Sequence, residues 1–396
     1  MNPAYEHIVA IVLVGAIFVG TVVAVPATLS SNSFEAVDQQ QLRNITLNVF
    51  NAMLLGEGSP SDWGSKYPFI QENVNNFGLA SSTSSTYVLD ADKIQRIDSE
   101  NAGYIDYEHT IELLKLQGYG FQFSLYRPFK VEWDIQWDAA DVVTLKVNVT
   151  RTEDGTPIPN AVVKANFIAS AENMTDKYNP GFVVSNMSHV IRTDIMGKAE
   201  ISEPLVIDPG YTLDKAIAVM HIIVAGMETE VLASKDSRTL DCLKISTFGD
   251  NVTLVFNDQQ YYNETSTPNG ERKLIAMYGY DLESLMLLYT GKQTGNDKDV
   301  INQGTTTDTW SRVFPSLNSV DPTMLVFIVS VPMTDGTGRE NGRQLIMLAG
   351  PFSFNLSNKI FQYGPENLTG HVLATMRRFV IISGMTYVTE LILWKE

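Results

Sequence analysis

Residues Ile8 to Val25, IVAIVLVGAIFVGTVVAV, make an uncharged run of 18 residues that fixes its own environment more firmly than any other stretch of the chain. As an α-helix such a run is about 27 Å long, against a hydrocarbon core of about 30 Å. We read it as a membrane anchor, which puts everything after it on one side of the bilayer. The competing reading is a secretory signal peptide cleaved near Val25-Pro26-Ala27. Met1 to His7 hold no Lys or Arg, and the run exceeds the usual apolar region of about 7–15 residues; both favour a retained anchor. Flanking charge does not orient the span, because the first basic residue after it is Arg43.

The rest of the chain is acidic, with 28 Lys+Arg against 45 Asp+Glu for a net charge of -17. Such a surface repels nucleic acid and anionic headgroups, so nucleic acid is not an expected partner. Eight Asn-X-Ser/Thr triplets, at Asn44, Asn148, Asn173, Asn186, Asn251, Asn263, Asn355 and Asn367, are glycosylation candidates and fit an exported body. The plainer alternative is that β-proteins rich in Asn and Thr accumulate such triplets without using them. The single cysteine, Cys242, rules out an intrachain disulfide framework and reads as a small buried hydrophobe. Stability must therefore come from packed cores. The histidines at 7, 109, 189, 221 and 371 contain no pair at metal-ligand spacing.

Phe34 to Leu55 continues helically, with Leu42, Ile45, Val49 and Met53 on one face and Asn44, Asn48 and Asn51 on the other. Pro26 and Ser30-Ser31-Asn32-Ser33 break it from the anchor, and Gly56, Gly58 and Pro60 end it. An apolar helix leading into an amphipathic one, then Leu54-Leu55-Gly56-Glu57-Gly58-Ser59-Pro60-Ser61-Asp62-Trp63-Gly64, resembles the start of membrane-anchored, pilin-like exported proteins of archaea. Phe77 to Ala80, Tyr87 to Lys93 and Leu113 to Phe121 extend that resemblance over residues 1–130. It implies an exported, anchored protein that self-associates through its N-terminal helix, and says little about activity. The family's leader pattern is not matched: Pro3-Ala4 stands before Tyr5-Glu6, which makes the acidic residue second instead of fifth.

Further on, Ser81 to Thr86 reads as an exposed linker, Asp90 or Asp92 as the cap of a short helix holding Ile94 and Ile97, and Tyr107 to Gln117 as another helix. From Phe121 the period becomes two. Val143, Leu145, Val147 and Val149 alternate with Thr144, Lys146, Asn148 and Thr150, a strand with one buried face. Gly155-Thr156-Pro157-Ile158-Pro159-Asn160-Ala161-Val162-Val163 and Thr193-Asp194-Ile195-Met196-Gly197-Lys198-Ala199 together resemble immunoglobulin-like β-sandwich modules, which serve as spacers, adhesins and accessory domains alike. Strands are expected again at 243–248, 252–256, 273–280, 284–289, 324–331 and 344–348, and Arg377 to Trp394 reads as a hairpin buried in the last domain. Its alternative use is to complete a neighbouring subunit.

The chain is thus expected to be mainly β with an N-terminal transmembrane and amphipathic helix, an immunoglobulin-like β-sandwich and a second β-rich domain. The expected division is a membrane anchor at 1–33, a helical stalk with a small α+β region at 34–130, the sandwich at 138–236 and the C-terminal β-rich domain at 238–396. No catalytic, cofactor-binding or metal-ligating constellation emerges; G-x-S-x-G, H-E-x-x-H, Walker A and G-x-G-x-x-G patterns are not found. Asp297, Asp299 and Asp308 lack Ca²⁺-loop spacing, and Trp310 and Tyr261-Tyr262 read as core before sugar platforms. The expected role is a cell-envelope surface protein, structural, adhesive or pilin-like, with its body outside and the membrane as partner through Ile8–Val25. The alternatives are an anchored binding module for a glycan or another envelope protein and, behind it, an extracellular hydrolase using two carboxylates.

Overall fold

The computed structural model describes residues 39–82, 85–101, 103–185, 189–235, 243–256, 272–291, 300–302, 309–320, 322–334, 340–351, 360–366, 368 and 372–396. The predicted anchor Ile8–Val25 lies outside them, and no helix among the described residues is long and apolar enough to cross a membrane. The chain is mainly β and built from several sheets.

The alternation at Val143 to Thr150 does what its period requires. The strand Val142–Arg151 pairs antiparallel with Phe129–Trp137 on one side and Lys198–Pro204 on the other, forming an outer sheet whose apolar face is buried. That face packs on a second sheet, ordered Met227–Ser234, Tyr211–Val224, Val162–Asn173 and Gly181–Val184, with His189–Arg192 also paired to Val162–Asn173. Phe129, Val131, Leu145, Val149, Phe167, Met220 and Ile222 share the core between them. The first strand of this pair of sheets starts at Phe129, so the expected boundary at 138 falls too late; Trp133 and Ile135 are paired with Val147 and Leu145. Ala225 and Gly226, both at positive φ, make the two-residue turn between Val224 and Met227, the backbone twist that a tight hairpin favours.

Val162–Asn173 and Tyr211–Val224 carry apolar side chains on both faces because both faces are covered. Ile168, Ile217, Val219 and Leu232 point away from the first core and meet Tyr278, Tyr280, Val326, Ile328 and Met347 of a third sheet. That sheet runs Leu285–Thr290, Arg272–Tyr280, Met324–Thr334 and Glu340–Gly350. Its opposite face carries Phe327, Val329, Ile346 and Leu348 against Ile245, Val252 and Leu254 of a fourth sheet, Leu243–Phe248, Asn251–Phe256 and Thr309–Val313. Four sheets are thus stacked through three apolar layers.

Residues 39–126 and 361–395 form a separate core. Helix α1 (39–55) buries Leu42, Val49, Phe50, Met53 and Leu54 and leaves Asn44 and Asn48 exposed, as its period requires. Those apolar groups pack with Trp63, Phe77 and Leu79 and with a five-stranded closing sheet ordered Val88–Leu89, Leu373–Ile382, Met385–Lys395, Tyr119–Tyr126 and Phe361–Tyr363. Here the expected linear division is corrected. The C-terminal hairpin does not join the strands of 238–350; it lies between Val88–Leu89 and Tyr119–Tyr126, in register from Tyr119↔Lys395 to Tyr126↔Val388. Phe121, Phe123 and Leu125 need an apolar surface beside them, and Leu391 and Leu393 supply it.

The two faces of this hairpin should respond differently to truncation. Leu391→Ala, in the core, is expected to destabilise the protein by about 2–5 kcal/mol, and Phe379→Ala, on the exposed face of the partner strand, by less than about 0.5 kcal/mol. Urea unfolding followed by circular dichroism measures both.

Candidate functional site

The most closely organised irregular segment lies between α1 and the closing sheet, from Gly56 to Ala80. It is held from below by α2 (Ala91–Arg96), whose N-terminus is capped by Asp90: the carboxylate accepts from the amides of Asp92 at 2.9 Å and Lys93 at 3.2 Å. Two fully buried cations leave this short helix. Lys93 Nζ donates to the carbonyls of Glu57 at 2.9 Å and Ala80 at 2.8 Å, and lies 3.7 Å from the Asp90 carboxylate. Arg96 donates to the carbonyls of Gly64 at 2.9 Å, Gly103 at 2.7 Å and Lys66, and its guanidinium lies over the rings of Phe69 and Phe248.

Burial pushes both cations down, Arg96 to about 10, which leaves it charged at neutral pH. Their charge is offset by loop carbonyls that would otherwise be unsatisfied. Gly78 lets the segment close on itself, since a Cβ there would sit 2.3 Å from the Gly56 carbonyl oxygen. The clamped segment turns Tyr67 and Ile70 to solvent around a hollow of about 190 Å³, with Trp63, Phe69 and Val74 lining it from below.

The same helix ties this segment to the fourth sheet. Gln95 exchanges two hydrogen bonds with Thr247, at 2.7 and 3.1 Å; Ser246 donates to Asn101 at 2.6 Å, and the Gly249 amide to Asp92 at 3.0 Å. At this seam lies a cavity of about 260 Å³, lined by Asp92, Thr247, Leu317, Thr323, Pro351 and Ser383. Behind Thr323 sits Glu230, fully buried on the second sheet. The Thr323 hydroxyl faces two groups, the Tyr280 carbonyl at 3.0 Å and the Glu230 carboxyl. The Tyr280 carbonyl also accepts from the Thr323 amide at 2.9 Å, which leaves the hydroxyl proton free to be donated to the Glu230 carboxyl. Desolvation outweighs this hydrogen bond, which favours the carboxylate, and pushes Glu230 up to about 8.

His221 stands beside Glu230 in register and Lys164 on its other side. Its Nδ1 lies 3.2 Å from the Leu282 carbonyl and its Nε2 2.9 Å from the Glu228 carboxylate. Both neighbours are acceptors, so the imidazolium satisfies both and the neutral ring only one. Burial nevertheless holds His221 below its ordinary value, against the pull of Glu228. The Glu228 amide donates to Thr386 Oγ1, which joins this cluster to the C-terminal hairpin.

The candidate glycosylation residues separate by position. Asn44 is exposed on α1, and Asn148 is half-buried on the wet face of the outer sheet, donating to Glu132 at 3.2 Å. Asn173 is 8% exposed and its Oδ1 accepts from Thr175 and Asp176; Asn251 is 6% exposed and bonded to Thr253 and Ser311. Asn186, Asn263, Asn355 and Asn367 lie outside the described residues, as do Cys242, Tyr261, Tyr262, Asp297, Asp299 and Asp308. Trp310 is half-buried with its ring 6.2 Å from Phe314, a core position. Among the described residues no group of three His, Cys, Asp or Glu side chains is placed to hold a metal ion. Sequence reasoning found the Asp90 cap and missed Lys93, Arg96 and Glu230, because nothing in local spacing distinguishes a buried charge from a solvated one.

Glu230 gives the protein a definite pH dependence. Its folded value of about 8 lies above the ordinary carboxyl value of 4.5, so the folded state holds the extra proton. The stability this confers is complete below about 4.5 and is lost as pH rises through about 8. Melting temperature is expected to fall between pH 6 and pH 9, and Glu230→Gln to flatten that decline; an unchanged decline in the variant would assign it to other groups.

No family model matches the chain, and no curated protein matches it. Among solved structures, a trypsin-activated alpha-2-macroglobulin from Escherichia coli aligns with 63% of this chain at 8% identity and a TM-score of 0.17, a likeness that carries no argument. The alignment spans 19% of that protein's own length.

Proposed function

We propose that this is a cell-envelope surface protein with a structural, adhesive or pilin-like role, anchored through Ile8–Val25 with its body outside. The observation that carries the reading is the fate of α1. The helix that follows the predicted anchor is packed into one core with the C-terminal hairpin, so load applied at the anchor passes into hydrogen-bonded strands from both ends of the chain. The stack of four sheets beyond that core is a stiff arm: two of its strands are buried on both faces, and each layer is joined to the next by an apolar core. The two sheets spanning Phe129–Ser234 support an immunoglobulin-like module acting as spacer in that arm. An acidic surface and accessible sequons at Asn44 and Asn148 agree with an external, glycosylated body.

The second reading, an anchored binding module for a glycan or another envelope protein, is favoured by one feature. The segment clamped by Lys93 and Arg96 presents Tyr67 and Ile70 rigidly to solvent, and ordered loops on a rigid scaffold carry recognition.

Protein isolated from its native membrane tests the reading by N-terminal sequencing and glycopeptide mass spectrometry. The expected result is membrane retention with Ile8–Val25 intact and glycans at Asn44 or Asn148 but not at the buried Asn173 and Asn251. A mature start near Thr28 with the body in the soluble fraction would overturn it.

A further inference from the structure

Among the described residues the strand Leu373–Ile382 is paired along its whole length on one side only. Its register with Met385–Lys395 runs unbroken from Leu373↔Trp394 to Ile382↔Met385, whereas on the other side Val88–Leu89 meets only Ile381 and Ile382. Parity decides which groups this leaves. The Ile381 amide donates to the Tyr87 carbonyl at 2.9 Å, so the backbone groups of Ile381, and with them those of Phe379, Arg377, Thr375 and Leu373, point to that edge. Among the described residues no backbone partner reaches the edge from Leu373 to Phe379. The Arg378 guanidinium reaches it, donating to the Arg377 carbonyl at 3.0 Å.

The side chains of the same residues form the outer face of the closing sheet. Leu373, Phe379 and Ile381 are 44%, 59% and 42% exposed, and Arg377 between them pairs with Glu390 across the hairpin and lies 3.9 Å from the Glu153 carboxylate. An open row of backbone donors and acceptors beside apolar side chains is what an added strand requires. Charge selects the occupant. In a chain of net charge -17 this strand carries two adjacent arginines and no acid; Glu390 and Glu153 face Arg377, so Arg378, at the edge itself, is the cation that would meet an acidic residue of a partner. Antiparallel pairing with a second copy in a register centred on Arg377 and Arg378 would bring the arginines of the two strands together, a like-charge arrangement that disfavours it. We propose that this edge docks an extended segment of another protein, alternating apolar and acidic residues, added as a further strand to the closing sheet. This goes beyond the anchored structural role and does not depend on it.

The test uses the full chain and a labelled peptide of about ten residues alternating Val and Glu, with a Val/Lys peptide as control, followed by fluorescence anisotropy. Saturable binding of the acidic peptide alone is expected. Thr375→Pro removes an amide directed at the open edge and leaves the hairpin register intact, and should weaken binding about tenfold or more without lowering the melting temperature. Arg378→Glu leaves the edge amides in place and should weaken binding by about tenfold at low salt. Absence of saturable binding, equal binding of the Val/Lys peptide, or indifference to both substitutions would overturn the proposal. So would a dimer in sedimentation that Thr375→Pro dissolves, because the edge would then belong to a second copy. Self-association of Arg378→Glu without peptide binding to the parent protein would also overturn it, leaving the arginines the role of keeping copies apart.

Discussion

The structure depends on the antiparallel pairing of Tyr119–Tyr126 with Met385–Lys395. This contact joins residues more than half the chain apart, and the closure entropy of such a loop has to be met by what the contact buries. Phe121, Phe123, Leu125, Leu391 and Leu393 are fully buried there, each contributing on the order of 1.5–3 kcal/mol of transfer free energy. They also give α1 its surface. Without the hairpin the helix would lose Tyr387, Leu391 and Leu393 from its core and keep only the Gly56–Ala80 segment and a narrow sheet.

α2 is the second organising element and works by charge in place of area. Lys93 and Arg96 each reach loop carbonyls, and Gln95 and Asp92 reach the fourth sheet, so one short helix fixes the exposed segment and the seam to the stacked sheets. A buried cation is costly unless every donor finds an acceptor. Here the acceptors are backbone carbonyls of an irregular segment, which need donors as much as the cations need acceptors. The cluster at Glu230, Thr323 and His221 follows the same logic where the second and third sheets meet, with a proton on Glu230 taking the place of a counter-charge.

How much of this was legible depended on whether the information was local. The alternation from Val143 to Thr150 showed its buried face because a sheet with one face on water leaves a period of two, and Leu42, Val49 and Met53 showed theirs because a helix with one face on water leaves a period of 3.6. Asp90 was readable as a cap from its own side chain. The partners were not legible. Met385–Lys395 alternates equally well whether it pairs with the strands of 324–350 or with Tyr119–Tyr126, since periodicity gives the face and not the neighbour. The burial of Arg96 and Glu230 was likewise hidden, because their partners lie far away in sequence, at Gly64 and Thr323.

The most direct test of the closure is native-state hydrogen exchange on the full chain carrying Leu393→Ala. If α1 and the C-terminal hairpin form one cooperative unit, amides of 39–55 and of Tyr119–Tyr126 should exchange faster together, while those of Val142–Arg151 in the outer sheet keep their protection. Faster exchange confined to Met324–Thr334 and Glu340–Gly350, with α1 unchanged, would place the hairpin in the C-terminal sheets and contradict the account.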